Sequence, residues 1–310
     1  MRKLVCNIKL NQNNIQLFRN IEYLDCKFEK DLDLNELKYL KYIKNVTSDI
    51  KLEKCPIIKM KYVDHYLNNF KFPKSIKYLN VRCLELDRIE TYKKFYLRTK
   101  NFQIETLNIY SAKFKLSYLQ KLETLIVDSI YTKYIGILEN VKCLTVNFKI
   151  EYDYENIEND YDYKSFKRFP NLEKLVLNSY VKDGNINLLK CKNLKCLILN
   201  TSSTYYSPQT VKIHNFSKIL ILNNYYLKYF ELIKPKIVKM NKYSMFRNKY
   251  TKILFTDILE YKHLIWFPNL IKIYCLKISN DNRINTENIQ INVVIKLDVK
   301  FKKLYSKINL

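Results

Sequence analysis

One short pattern of apolar and polar positions recurs along the whole chain. Each copy begins with a polar residue, and apolar residues occupy the first, fourth and sixth positions after it. The eight strongest copies lie at 20–26, 75–81, 103–109, 121–127, 140–146, 171–177, 193–199 and 269–275. Weaker copies begin near Ile43, Ile57, Phe216, Ile237 and Val294, and residues 1–6 resemble a truncated first copy. Positions four and six lie on the same side of a strand, so each copy predicts a short strand with one buried face.

Stacked copies predict a parallel sheet, and the segments between them must return on the opposite side. The clearest helical segment is 87–98, where Ile89, Tyr92 and Tyr96 fall on one helix face. Similar periodicity predicts helices within 33–42, 183–191, 225–233 and 256–264. Phe-Pro pairs at 72–73, 169–170 and 267–268 end return segments, because proline stops a helix and favours an extended residue before it.

No single copy can bury its apolar face without neighbours, and no Pro-, Gly- or Ser-rich linker interrupts the chain. We therefore predict one continuous solenoid over residues 1–310, with about 12 to 14 irregular repeats. Its largest insertion is the tyrosine-rich segment 151–163, which holds six acidic residues and no basic one. This segment could dock on the chain's own lysines, mimic an acidic ligand or simply be flexible.

The copies and their spacing resemble the leucine-rich repeat superfamily, whose repeats of 20–29 residues contain L-x-x-L-x-L. The irregular copies are similar to divergent members encoded by AT-rich parasites and large DNA viruses. The resemblance implies an irregular α/β horseshoe, with a parallel concave sheet and short convex helices or turns. It also implies recognition of a partner on the concave face. The asparagine that usually follows each copy is missing from nearly all of them, which predicts locally variable turns.

The composition excludes several classes of site. Of the 310 residues 47% are hydrophobic and 27% charged, which is typical of a globular protein. Two glycines rule out both the dinucleotide fingerprint and the P-loop, and no GxSxG or HExxH motif is present. Eight cysteines without CxxC spacing and three scattered histidines predict no metal site, no cofactor and no catalytic residue. The cysteines fit buried positions in a reducing compartment, so an intracellular location, cytoplasmic or nuclear, is expected.

A net charge of +25, from 55 basic and 30 acidic residues, suggests an anionic partner. At the third position of the C-terminal copies a basic stripe is predicted from Lys174, Lys218, Lys239, Lys272 and Lys296. Stacking surfaces would come from Tyr23, Tyr78, Tyr110 and Tyr274. The stripe predicts a nucleic-acid or ribonucleoprotein-binding module. Lysine is also favoured by AT-rich codons, so an ordinary solvated face is the alternative.

The fifth position of the central copies predicts an outward strip consisting of Ile126, Thr145, Val176, Ile198 and Leu220. The N-terminal copies instead place Asp25, Thr47, Lys61, Asn80 and Asn108 there. A contiguous apolar strip on a sheet face is typical of a protein-binding surface. Two alternatives remain open at this point: the register slips, or an inserted segment covers the strip. The leading hypothesis is a non-enzymatic scaffold that binds another protein on its concave face, with no membrane association.

Overall fold

The structure is a computed structural model. It describes residues 2–47, 49–62, 70–81, 89–112, 115–131, 135–151, 164–178, 185–187, 191–200, 212–214, 218–223, 234–240, 244, 246–279 and 292–295. The chain divides into two compact units, Met1–Asn156 and Ile157–Leu310. Each unit is a parallel β-solenoid with few helices. The expectation of one continuous solenoid over 1–310 stays a prediction.

The first unit contains eight strands that pair in parallel with their neighbours in chain order. They are β1 (Lys3–Leu10), β2 (Tyr23–Phe28), β3 (Tyr42–Val46), β4 (Lys59–Tyr62), β5 (Tyr78–Val81), β6 (Thr106–Ala112), β7 (Thr124–Tyr131) and β8 (Cys143–Glu151). The truncated first copy is confirmed as a strand, since Leu4 pairs with Leu24. Glu151 ends β8, and the rest of the predicted insertion 151–163 lies outside the described residues.

The second unit contains a further series of parallel strands. They are β9 (Lys174–Leu177), β11 (Cys196–Asn200), β13 (Ile219–Asn223), β14 (Ile237–Met240), β15 (Ile253–Leu259), β16 (Lys272–Ile278) and β17 (Asn292–Ile295). A separate parallel pair joins β10 (Asn185–Asn187) to β12 (Lys212–His214). In both units the fourth and sixth positions form the core, as in β9, where Leu175 and Leu177 are buried and Val176 is half-buried.

A buried turn leads into several strands and explains two of the Phe-Pro pairs. The amide N–H of Leu172 donates to the carbonyl of Phe169 over 3.2 Å, and Leu270 donates to Phe267 over the same distance. Both phenylalanines are fully buried. Proline fits the position after the phenylalanine because it fixes φ and needs no donor there. The same turn precedes other copies, as in Leu122 with Leu119 and Val141 with Leu138, so an apolar residue three positions before the first apolar one is part of many repeats.

Helices are scarce among the described residues. They are α1 (Gln12–Ile15), α2 (Ile89–Thr99) and α3 (Tyr261–Trp266), with 3₁₀ segments at Gln16–Phe18 and Lys164–Arg168. The helix predicted within 87–98 is confirmed as α2. No helix in the described part of the chain is long and apolar enough to span a bilayer.

Two of the other predicted helices are wrong where the structure describes them, and the one within 256–264 is correct only for its last four residues, so a set of convex helices is not observed. Residues 33–42 consist of turns, with a bridge between Asp33 and Lys51. The segment 256–264 begins in β15, because Ile258 and Leu259 continue to pair with β16 and α3 starts only at Tyr261. Within 183–191 the residues Asn185–Asn187 form β10, and 225–233 lies outside the described residues.

A side-chain ladder forms one position after the second buried residue of three neighbouring strands in the second unit, β9, β11 and β13. The amide Nδ2 of Asn200 donates to Oδ1 of Asn178 over 2.5 Å, and Nδ2 of Asn223 donates to Oδ1 of Asn200 over 2.6 Å. The leucine-rich repeat consensus places its asparagine two residues further along. The ladder joins successive repeats at the ends of their strands, where the sequence predicted only variable turns.

Candidate functional site

The register of β13 decides which side chains form the predicted apolar strip. Leu220 pairs with Leu197, and Ile221 pairs with Ile198. Leu220 therefore points into the core, where it is fully buried, and its predicted outward position is wrong. The copy near Phe216 begins its strand one residue later than the pattern predicts. The observed fifth-position row of the second unit is Val176, Ile198, Ile221, Lys239, Phe255, Tyr274 and Val294.

The middle of this row is buried. Ile198 is 8% exposed, Ile221 1% and Phe255 2%. Phe255 also stacks on Tyr274, with ring centroids 4.6 Å apart. The prediction of an exposed strip is thus wrong at Ile198, and the alternative that other residues of the chain cover it agrees with this burial. Val176 stays half-buried, at the β9 end of the row.

Lys239 occupies the fifth position of β14 and is 8% exposed. Burial lowers the pKa of its ammonium group, and the charge of Asp257 opposes that effect in part. Lys239 is therefore a buried member of the apolar row and not part of an exposed stripe.

The predicted basic stripe is also changed by the register. The third-position row is Lys174, Cys196, Ile219, Ile237, Ile253, Lys272 and Asn292. Only Lys174 and Lys272 keep their predicted places, and aliphatic side chains and a cysteine separate them. Lys218 lies one position earlier, and Lys296 lies outside the described residues. The stripe as predicted is therefore wrong among the described strands.

A different lysine row lies at the second position, directly before the strands. It consists of Lys195, Lys218, Lys236 and Lys252, which we call the basic edge. All four side chains are exposed. Backbone bonds fix their order: Ile219 donates to the carbonyl of Lys195, Ile237 to that of Lys218, and Ile253 to that of Lys236. The signal in the sequence was a lysine immediately before each of four successive apolar runs, the last of which, at 253–255, was not among the predicted copies.

The same second-position row in the first unit is neutralised by ion pairs. Lys41 lies 3.6 Å from Glu22, Lys77 lies 2.7 Å from Glu105, and Lys142 lies 3.0 Å from Glu123, in each case between nitrogen and carboxylate oxygen. On the basic edge Lys195 pairs with Glu173 over 2.6 Å. Within the part of the chain that the structure describes, Lys218, Lys236 and Lys252 have no acidic partner.

The outward positions of β5–β8 whose side chains the structure describes have almost no charge, and we call this surface the neutral face. Its members are Tyr78, Asn80, Thr106, Asn108, Tyr110, Thr124, Ile126, Asp128, Cys143, Thr145 and Asn147. Asp128 is the single charged residue, and its Oδ1 accepts a hydrogen bond from Nδ2 of Asn147 over 2.7 Å. The predicted site residues Ile126 and Thr145 lie here side by side and half-buried.

The outward side of β2–β4 is different, because it carries charges. Nζ of Lys44 lies 2.9 Å from Oδ2 of Asp25, and this hydrogen bond lowers the pKa of the Asp25 carboxyl group. Lys44, and not the predicted Thr47, occupies the fifth position beside Asp25. Asn45 then adopts φ 58°, which interrupts the regular ladder.

The four predicted stacking tyrosines are divided between the two units. Tyr23 and Tyr78 occupy third positions of the first unit, and Tyr110 points outward from β6. Tyr274 lies in the second unit, half-buried against Phe255.

The buried titratable groups fit a structural role. Burial raises the pKa of the Cys55 thiol to about 12 and that of Cys191 to about 11. His263 is fully buried, its Nδ1 accepts from the backbone N–H of Glu260 over 3.0 Å, and burial lowers its pKa to about 4. The described residues contain no group of three or more His, Cys, Asp or Glu side chains arranged to hold a metal ion.

Two surfaces therefore stand out among the described residues: the neutral face of the first unit and the basic edge of the second. Comparisons with models of known protein families and with curated proteins find no match for the chain.

Proposed function

We propose that the chain is a non-enzymatic scaffold of the leucine-rich repeat type, which binds another protein through the neutral face. The observation that carries this proposal is the loss of charge on that face. The chain is 27% charged and has a net charge of +25, yet Asp128 is the single ionic side chain among the eleven residues of the neutral face. The repeat type is supported by the leucine-rich phrase and by the parallel, stacked strands.

The residue types on the neutral face are those that protein interfaces use. Cores of interfaces are depleted in charge and enriched in tyrosine, because burying an unpaired charge is costly. Tyr78 is 40% exposed and Tyr110 41%, so both rings can be covered by a partner. Threonine and asparagine between them supply adaptable hydrogen bonds with little entropy to lose. The expected partner is a neutral, hydrogen-bonding protein surface.

Asn80 adds a polar group that is incompletely satisfied within the described residues. Its Oδ1 is buried and has no hydrogen-bond partner among them. A buried acceptor without a hydrogen bond lowers the stability of the folded chain by about 1–3 kcal/mol. Rotation of the Asn80 amide would offer this oxygen to a donor of the bound protein, and the hydrogen bond would recover that cost.

The test uses the full chain to capture proteins from native cells, followed by binding measurements with each purified candidate. The double variant Tyr78→Ala/Tyr110→Ala removes the two exposed rings. It is expected to lower the affinity for a true partner at least about tenfold. The matched control is Leu17→Ala/Tyr39→Ala, which removes side chains that are 80% and 57% exposed elsewhere in the first unit. This control is expected to bind as tightly as the unaltered chain.

Salt dependence provides the second measurement. Association through a neutral face should change little between low and high salt, whereas phosphate binding weakens steeply. A second variant, Asn108→Arg, places a charge in the centre of the face and should also reduce binding. The proposal is wrong if every captured protein binds both variants as well as the unaltered chain, or if the control loses binding equally.

A further inference from the structure

The basic edge is unusual because its lysines recur at one position of successive strands and three of the four have no acidic partner among the described residues. Neighbouring parallel strands lie about 4.8 Å apart, so four lysines on successive strands form a straight row about 14 Å long. Among the described residues a single carboxylate, Glu173, pairs with this row, and it lies at the Lys195 end. In the first unit the same position holds both lysines and glutamates, which form ion pairs.

Further basic residues surround one end of the row. Lys234 and Lys249 each lie near the ring of Tyr250, with Nζ 5.1 Å and 5.5 Å from the ring centroid. Tyr250 is 37% exposed and stands two residues before Lys252. Five lysines without an acidic partner in the described part of the chain, together with an exposed aromatic ring, therefore lie at the beginning of β13–β15.

We propose that the basic edge binds the phosphate backbone of single-stranded nucleic acid, with Tyr250 providing a ring on which a base stacks. This site lies in the second unit and is separate from the neutral face of the proposed function.

The chemistry of the row favours a polymer of uniform charge. Lysine carries a point charge on a flexible side chain. It cannot form the bidentate hydrogen bonds by which arginine orients a single carboxylate or phosphate. A row of such charges requires no exact register with its ligand, so it suits a backbone that carries one phosphate per nucleotide. An acidic protein would have to present carboxylates at matching intervals. A ring beside a basic row is the arrangement that sequence-tolerant binding of single strands uses.

The binding test uses fluorescence anisotropy with the full chain and a labelled oligothymidylate of about 20 nucleotides. If five lysines contact phosphate, log K should fall against log salt with a slope of about −3.5. The variant Lys218→Ala/Lys236→Ala/Lys252→Ala is expected to reduce that slope by about 2 and to weaken binding at least about tenfold near 0.1 M salt.

The matched control changes the net charge by the same amount at scattered exposed sites of the first unit. Lys54→Ala/Lys74→Ala/Lys121→Ala is expected to alter affinity less than about twofold. Far-UV circular dichroism of both triple variants should equal that of the unaltered chain, because all six side chains are exposed. An equal loss of oligonucleotide affinity in the two triple variants would show that binding depends only on the overall charge, and it would overturn the proposal.

Two further arms decide the class of ligand. A polyglutamate peptide of equal length should bind much more weakly than the oligonucleotide; equal or tighter binding overturns the proposal in favour of an acidic protein. Tyr250→Leu should lower the affinity for the single-stranded oligonucleotide at least about fivefold. It should leave the affinity for a DNA duplex nearly unchanged, because duplex bases cannot stack on the ring. Equal affinity for duplex and single strand, without an effect of Tyr250→Leu, overturns the assignment to single strands. Absence of oligonucleotide binding at low salt overturns it as well.

Discussion

Leu220 of β13 pairs with Leu197 of β11, one residue out of the register that the leucine pattern predicts. This pairing sends Leu220 into the core and gives its outward place to Ile221. Because side chains alternate along a strand, a slip of one residue exchanges the inward and outward sets. The same register places Ile219 beside Cys196 and moves Lys218 to the basic edge.

Ile221→Asp is therefore expected to destabilise the fold rather than to remove a binding contact. Ile221 is 1% exposed, and burying a carboxylate without a partner should cost about 3 kcal/mol or more. Val176 is half-buried in the same row, so Val176→Asp should lower the free energy of unfolding markedly less than Ile221→Asp. Urea denaturation followed by circular dichroism measures both. Similar midpoints for Ile221→Asp and the unaltered chain would contradict the burial of this row.

Asn200→Ala should lower the free energy of unfolding by about 2 kcal/mol. Asn200 is the middle residue of the ladder and loses two side-chain bonds, to Asn178 and Asn223, each contributing about 1 kcal/mol. The control is Asn193→Ala, whose single bond to Asn171 is exposed to solvent and should contribute less than about 0.5 kcal/mol. Equal costs for the two variants would show that the ladder adds no stability.

His263 should make the fold sensitive to mild acid. Its pKa is about 4 in the folded chain and 6.5 in the unfolded one, so the unfolded state binds the proton first as the pH falls. The lowered pKa means that stability is full above pH 6.5 and decreases towards pH 4, by about 3 kcal/mol at most. His263→Asn keeps an acceptor for the Glu260 N–H and should abolish that slope in urea midpoints. The slope belongs to another group if His214→Asn removes it instead.

Gly136→Ala should lower the free energy of unfolding by about 1–2 kcal/mol. Gly136 has φ 79°, a left-handed conformation that side chains disfavour, and an added Cβ would lie 3.3 Å from Cγ of Lys115 and from Oγ of Ser117. Gly136→Asn should cost less, because asparagine tolerates this conformation better. Thermal unfolding measures the order of the two variants. A stabilising effect of Gly136→Ala would contradict the positive φ.

Strong copies of the leucine pattern predicted their strands correctly. At 121–127 and 171–177 the first, fourth and sixth residues alone set the register, and Leu125 and Leu175 are buried as expected. The fold type, the parallel pairing and the half-buried places of Ile126, Thr145 and Val176 follow from this repetition. The weak copies near Ile43, Phe216, Ile237 and Val294 failed in their register, because neighbouring apolar residues allow more than one alignment.

The sequence by itself determined that the chain repeats a strand with one apolar face and must stack its copies, since no copy buries that face alone. Only the tertiary structure decided the register of the ambiguous copies, which depends on pairing with neighbours far away in the sequence. That register buries Ile221 and Lys239 together, and it aligns Lys195, Lys218, Lys236 and Lys252 in one row. A net charge of +25 gives the total charge of the chain but not the strand positions of its lysines. It therefore could not predict which lysines lie side by side.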